Sequence, residues 1–158
     1  MPTNRTLLRF IAVTSLLAVV FALISQHFFA MQPCAWCVFQ RLLLLVIAAV
    51  TGLASLGNRA GRAIRIGGLI AGLTSLGGIV SAGYQYTVAS KMFSCDRTFA
   101  DRFMVDSGLD AAVPWLFGIY ATCMDARVDL FGIEYALWAL GLFVVLTILG
   151  LVVALRHP

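Results

Sequence analysis

Apolar positions gather in four long blocks along this chain, each bounded by short intervals rich in charge, proline or cysteine. The blocks run from about Leu8 to Phe28, Val38 to Leu56, Ile66 to Val88 and Ile133 to Leu155. A hydrocarbon core of about 30 Å needs roughly 20 such residues in a helix rising about 1.5 Å per residue. Each block is long enough. Inside a bilayer the backbone amides find no water, so the blocks must be helices that satisfy them internally. The pattern predicts an all-α, integral-membrane four-helix bundle forming one domain over residues 1–158.

Composition narrows the choice further. The chain is 61% hydrophobic and 11% charged, against about 25% charged in a soluble domain. Its mean hydropathy is +0.97, which excludes a soluble or disordered chain. The first block could serve as a cleaved signal peptide, since Arg5 and Arg9 precede it. It is longer than a usual signal core, however, and cuts after Ala30 or Ser25 would leave bulky Phe28 or Leu23 at the minus-three site. It is read as a retained helix. The net charge of +4 does not indicate nucleic acid. The basic residues are scattered, apart from Arg59, Arg62 and Arg65, and form no basic face interleaved with aromatics.

Charge placement sets the expected orientation. Arg5 and Arg9 precede the first block, Arg59, Arg62 and Arg65 separate the second and third, and Arg156 follows the fourth. Basic residues favour the cytoplasmic side. Both termini and the middle loop are therefore expected in the cytoplasm. Two loops, at about 29–37 and 89–132, then face outward. The longer one carries Asp96, Asp101, Asp106, Asp110, Asp125 and Asp129.

All four cysteines, Cys34, Cys37, Cys95 and Cys123, fall in these outer loops or at their junctions with helices. An oxidising compartment permits disulfides there. Four cysteines allow three pairings. Cys34 and Cys37 are close enough to pair as a CxxC, which leaves Cys95 with Cys123; a trapped Cys34–Cys123 link stays open. With Pro33 before them and the apolar run after, Cys34 and Cys37 belong at the first turn of the second helix. Unpaired amides and the positive end of the helix dipole stabilise a thiolate at such a place.

Arg41 lies four residues beyond Cys37, on the same helical face about 6 Å deeper. An Arg at mid-bilayer costs roughly 2.5–3.5 kcal/mol on the insertion scale, and a long side chain so near a helix end can snorkel outward. A lone Arg here would be an anchor. Beside a CxxC it is read as a charge near the thiolate or near the carbonyl oxygen of a bound electron acceptor. Zinc is the competing use of the cysteines, but zinc usually takes two CxxC pairs, so no metal is expected.

The long outer loop reads as a segment lying at the membrane interface. Phe99, Phe103 and Met104 form an apolar stripe opposite Asp101, Arg102 and Asp106, predicting a short interfacial helix. Ser107 and Gly108 end it, and Pro114-Trp115-Leu116-Phe117 supplies a second apolar patch. In the third block Gly67, Gly68, Ala71, Gly72, Ser75, Gly77 and Gly78 give a small-residue face for close helix packing.

Two stretches carry a family resemblance. Gln32-Pro33-Cys34-Ala35-Trp36-Cys37-Val38-Phe39-Gln40-Arg41 resembles the approach to helix 2 in the disulfide bond formation protein B (DsbB) family. Cys123-Met124-Asp125-Ala126-Arg127-Val128-Asp129-Leu130-Phe131-Gly132-Ile133-Glu134, with Trp138 beyond, is similar to that family's entry to helix 4. The ordered set spans nearly the whole chain. The resemblance implies a quinone-dependent oxidase in the bacterial inner membrane, its cysteines on the periplasmic side. Its partner would be a periplasmic thioredoxin-like dithiol protein of the DsbA type. It implies that the partner's thiol attacks Cys95, that Cys123 exchanges with Cys34, and that Cys37 passes electrons to a ubiquinone or menaquinone beside Arg41.

Some relatives carry a histidine near the outer end of helix 3; here that region reads Tyr84-Gln85-Tyr86-Thr87. Tyr84, Gln85 and Tyr86 could bond a quinone carbonyl or simply form an aromatic belt, and His27 stands at a similar level. Two other readings compete. Vitamin K epoxide reductases place their CxxC on the last core helix, unlike this chain. A structural or transport subunit would use its disulfides only as staples, but the spans hold no Asp or Glu and no mid-membrane ionisable residue, as ion transport would require.

Overall fold

The structure, a computed structural model, describes residues 3–57, 61–92 and 98–156. Four helices, α1 (Asn4–Phe28), α2 (Ala35–Leu56), α3 (Arg62–Thr87) and α7 (Tyr135–Leu155), are long and apolar enough to cross a membrane. The molecule is an all-α membrane bundle. Between α3 and α7 lie a 3-10 turn (Ala89–Lys91) and three short helices, α4 (Phe99–Asp106), α5 (Leu109–Ala112) and α6 (Pro114–Phe117). A small hairpin of β1 (Asp129–Leu130) and β2 (Ile133–Glu134) leads into α7.

Helix ends differ from the apolar blocks where local backbone chemistry overrides hydropathy. α1 starts at Asn4, before Leu8, because the Thr3 side chain accepts the Thr6 amide at 3.2 Å. α2 starts at Ala35 and not Val38, with Cys34 as its N-cap. Pro33 disfavours the helical conformation at the residue before it, so the chain enters the helix only beyond that point. α3 starts at Arg62, after Gly61 at φ +66°, a conformation glycine adopts without strain. α7 starts at Tyr135, two residues after the expected Ile133, because Ile133 and Glu134 pair with Leu130 and Asp129. The hairpin's two turn residues, Phe131 (φ +55°) and Gly132 (φ +77°), both have positive φ, as a tight two-residue hairpin requires.

Leu8 and Ile11 of α1, Leu44 and Ile47 of α2, Ala71 of α3, and Phe143, Leu146 and Val153 of α7 form the central core. Large apolar side chains such as Phe10, Leu17, Leu53, Val80 and Ile148 point outward instead, as a lipid-facing surface demands. α3 and α7 run antiparallel in the closest approach of the bundle. A Cβ on Gly150 would lie 2.7 Å from the Gly72 amide nitrogen and 2.9 Å from the Gly68 carbonyl oxygen. Gly78 makes room for the Phe143 ring, and Gly67 for the Ala54 methyl. Gly77 is not part of this face: a Cβ there would meet nothing within 4 Å.

The outer loop caps one end. α4 forms as expected and ends at Asp106, before Gly108 at φ +69°. Its apolar stripe divides, however. Met104 is buried with Ala100, in contact with Val38 and Phe117, whereas Phe99 and Phe103 stay largely exposed and close an aromatic cluster with Phe39.

Candidate functional site

The N-terminal end of α2 concentrates the chemistry. Cys34 caps the helix in an extended conformation (φ −86°, ψ 172°), and Cys37 is the third residue of the first turn. Amides of a first helical turn lack intrahelical acceptors and carry the positive end of the dipole. Both cysteines are thiols, with their sulfurs 3.2 Å apart. Cys34 is fully buried, and its hydrogen bond with Cys37, reinforced by burial, pushes its thiol well above the ordinary range.

Gln85 reaches the same sulfurs from α3. Its Nε2 donates to Cys37 Sγ at 3.1 Å and to Cys34 Sγ at 3.7 Å, while its Oε1 accepts from Gln40 Nε2 at 2.7 Å. Of the three residues at the end of α3 considered for hydrogen bonding, Gln85 therefore attends the cysteines. Tyr84 packs against Trp36 with ring centroids 4.9 Å apart, and Tyr86 is exposed. His27 places Nε2 3.2 Å from the Trp115 carbonyl oxygen.

On the other side of Cys37 a cavity of about 390 Å³ opens between α1, α2 and α7, under the hairpin. Its walls are apolar, with Ala18 and Phe21 from α1, Leu44 from α2, and Ala139, Leu142 and Phe143 from α7. Polar groups collect on its margin: Cys37, Gln40, Arg41, Ser25, Gln32 and Tyr135. Phe21 and Tyr135 stack across it, 6.5 Å between centroids. This size and lining suit a flat apolar molecule with a few oxygen acceptors.

Arg41 is 5% exposed yet carries a permanent charge, so its position needs compensation. Its Nη1 donates to Gln26 Oε1 at 2.6 Å and to the Leu116 carbonyl at 3.0 Å, and its Nη2 to the Ala22 carbonyl at 3.4 Å. Leu116 lies at the end of α6, where carbonyls have no intrahelical donor. Arg41 is thus fixed and not a loose anchor. A guanidinium has five N–H donors, and these bonds occupy three, leaving donors and net charge beside the cavity.

Cys123 is buried and disulfide-bonded. It packs in one cluster with Cys34, Ala35, Trp36, Ala89 and Ala100. Just ahead of it, the amides of Tyr120 and Ala121 both donate to the Pro33 carbonyl, at 3.1 and 3.2 Å. Cys95, the fourth expected site residue, lies outside the described residues. Sequence reading passed over Gln26, Gln40, Tyr135 and the α7 cavity wall as site residues. Periodicity shows a polar or aromatic residue near a helix end but not which neighbouring helix it faces.

The family described as "Disulfide bond formation protein DsbB" has a sequence profile that matches residues 4–153. The chain belongs to the DsbB family. It is similar to "Disulfide bond formation protein B" of Escherichia coli strain K12, 30% identical over 93% of this chain and 84% of the relative. It is also similar to proteins of that name from a Polaromonas species, 27% identical over 96% of this chain and 91% of the relative, and from Paracidovorax citrulli, 28% identical over 98% and 89%. DsbB membership and four candidate spans make this a multi-pass membrane protein with an oxidoreductase role in disulfide formation.

Proposed function

We propose that this protein reoxidises a periplasmic thioredoxin-like dithiol protein of the DsbA type and passes the electrons to a membrane quinone. It does so from the bacterial inner membrane, with both termini in the cytoplasm and all four cysteines on the periplasmic side. The observation that carries the reading is that Cys37 and Arg41, one turn apart on α2, both line the same apolar cavity.

Cys95 takes the attack of the partner's thiolate, and the resulting mixed disulfide resolves into an oxidised partner. The partner's attack breaks Cys95–Cys123 and leaves both as thiols. With Cys34–Cys37 in its disulfide form, the Cys123 thiolate then attacks Cys34 and releases Cys37. Cys95 displaces Cys34, which re-forms Cys95–Cys123 and leaves Cys34 and Cys37 as the thiol pair seen in the structure. The exchange is supported by the shared buried cluster of Cys123 and Cys34 and by the main-chain tie at Pro33. Cys34 and Cys37 next give up two protons and two electrons as their S–S bond forms. A bound quinone supplies the two-electron, two-proton acceptor. The cavity fits such a group, with apolar walls for the ring, a sulfur at its margin, and Arg41 and Tyr135 as donors toward carbonyl oxygens. Arg41 holds its charge there because Gln26, Leu116 and Ala22 hold Arg41.

Quinone absorbance tests the reading. Purified, detergent-solubilised protein is mixed with a reduced periplasmic-type CxxC protein and either ubiquinone or menaquinone. Catalytic loss of the oxidised-quinone band, matched by thiol loss, is expected. Folded protein that consumes neither quinone, with its disulfides unreacted, would overturn the proposal in favour of disulfides that only staple the loops.

A further inference from the structure

We propose that Gln85 is the positioning residue that holds negative charge on the Cys37 sulfur, and that Gln40 sets the orientation of its amide. This rests on the function proposed above and adds to it a control on the reactivity of the CxxC pair. Cys37 meets the cavity on one face. From α3, Gln85 approaches with Nε2 3.1 Å from the sulfur. Arg41, by contrast, spends its bonds on Gln26, Leu116 and Ala22 and acts on Cys37 through space alone. Among the described residues, Gln85 and Cys34 are the side chains hydrogen-bonded to Cys37 Sγ.

The direction of the Gln85 amide decides what it does. With Nε2 toward the sulfurs it stabilises a thiolate; turned over, it would present an oxygen and repel one. In the structure Gln40 pairs with the first of these directions. Its Nε2 donates to Gln85 Oε1 at 2.7 Å, so the oxygen faces α2 and the amide hydrogens are left for Cys37 and Cys34. The bond also polarises the amide and strengthens its donation. Gln85 is 6% exposed and Gln40 equally buried, so water does not substitute for either. A hydrogen bond to a charged group contributes about 1.5–3 kcal/mol, and about 1.4 kcal/mol corresponds to tenfold.

The test uses the full-length reduced protein without quinone or thiol partner. It is therefore independent of whether the proposed turnover exists, which the wild-type absorbance assay reports separately. Two quantities are read at fixed pH: the rate of Cys37 alkylation by iodoacetamide, resolved by peptide mass, and the fraction of Cys34–Cys37 disulfide in a glutathione buffer. Gln85→Met keeps the volume and removes the donor. At a pH below the Cys37 titration it should slow alkylation about threefold, because a more basic sulfur regains in nucleophilicity part of what it loses in thiolate fraction. At a pH where the wild-type thiolate is populated it should shift the glutathione equilibrium toward the disulfide about tenfold. Gln40→Glu leaves Gln85 intact but supplies only acceptors, drawing Nε2 away from the sulfur, and should act in the same direction. Gln40→Leu, which merely frees the amide, should fall between it and wild type. Should Gln85→Met not fold, Gln40→Glu decides. Alkylation rates and glutathione equilibria within twofold of wild type in the folded variants would overturn the assignment.

Discussion

Arg41 on α2 and Gln26 near the C-terminal end of α1 are joined by a 2.6 Å hydrogen bond from Nη1 to Oε1, and both side chains are buried. The bond ties the charge at the cavity to the helix opposite. Gln26→Met should remove one charge-assisted bond, lowering stability by about 1.5–3 kcal/mol. The apparent KM for quinone should rise about threefold to tenfold, with kcat less affected. Arg41→Ala should raise KM further, because it removes the charge itself. Steady-state kinetics with varied quinone check both, and an unchanged KM in Arg41→Ala would return that residue to the status of an anchor.

Cys37→Ser should abolish thiol-driven quinone reduction while leaving the fold intact, since a hydroxyl replaces the sulfur at little change in volume. The absorbance assay reads the first effect, and thermal unfolding in detergent the second. Retained turnover would remove Cys37 from the electron path.

Reduced Cys34 should be a poor nucleophile at neutral pH. Its hydrogen bond with Cys37 and its burial hold the thiol protonated well beyond the ordinary value of 9.0, and only the thiolate is alkylated. Labelling of Cys34 in the reduced protein should therefore be slow at pH 7 and 8 and keep rising with pH beyond the range in which an ordinary thiol levels off. Peptide-resolved labelling across that range tests it; rapid labelling of Cys34 at pH 7 would contradict the burial and bonding described.

Gly150→Ala should destabilise the bundle by about 1–3 kcal/mol, the usual cost of overpacking. The new methyl would press on Gly72 and Gly68 main-chain atoms, which cannot swing aside as a side chain would. Gly77→Ala on the same α3 helix meets nothing and should leave the melting temperature within a degree or two of wild type. Paired melts of the two variants make the comparison.

The four spans were legible because bilayer thickness translates directly into a run of apolar residues. Cys37 and Arg41 were legible because i to i+4 spacing on one helix fixes a shared face. Gln85 and Gln26 were visible only as polar residues near helix ends; their partners sit 48 and 15 positions away, on different helices. Helix starts were misplaced where a cap or a hairpin acted. The Thr3 cap extends α1 ahead of its apolar run, and pairing of Leu130 with Ile133 delays α7. Met104 and Phe103 are adjacent in sequence and nearly alike in hydropathy, yet packing under α2 buries one and leaves the other partly exposed.

The tie between the two outer segments is written entirely in main-chain atoms. Pro33 offers a carbonyl, and residues 120 and 121 offer amides, so the joint is blind to the side chains at those two positions. A change of side chain at either position deletes neither bond. Proline alone, at 120 or 121, would delete a strut. The placing of Cys123 in the neighbourhood of Cys34 is in that sense insured against sequence drift.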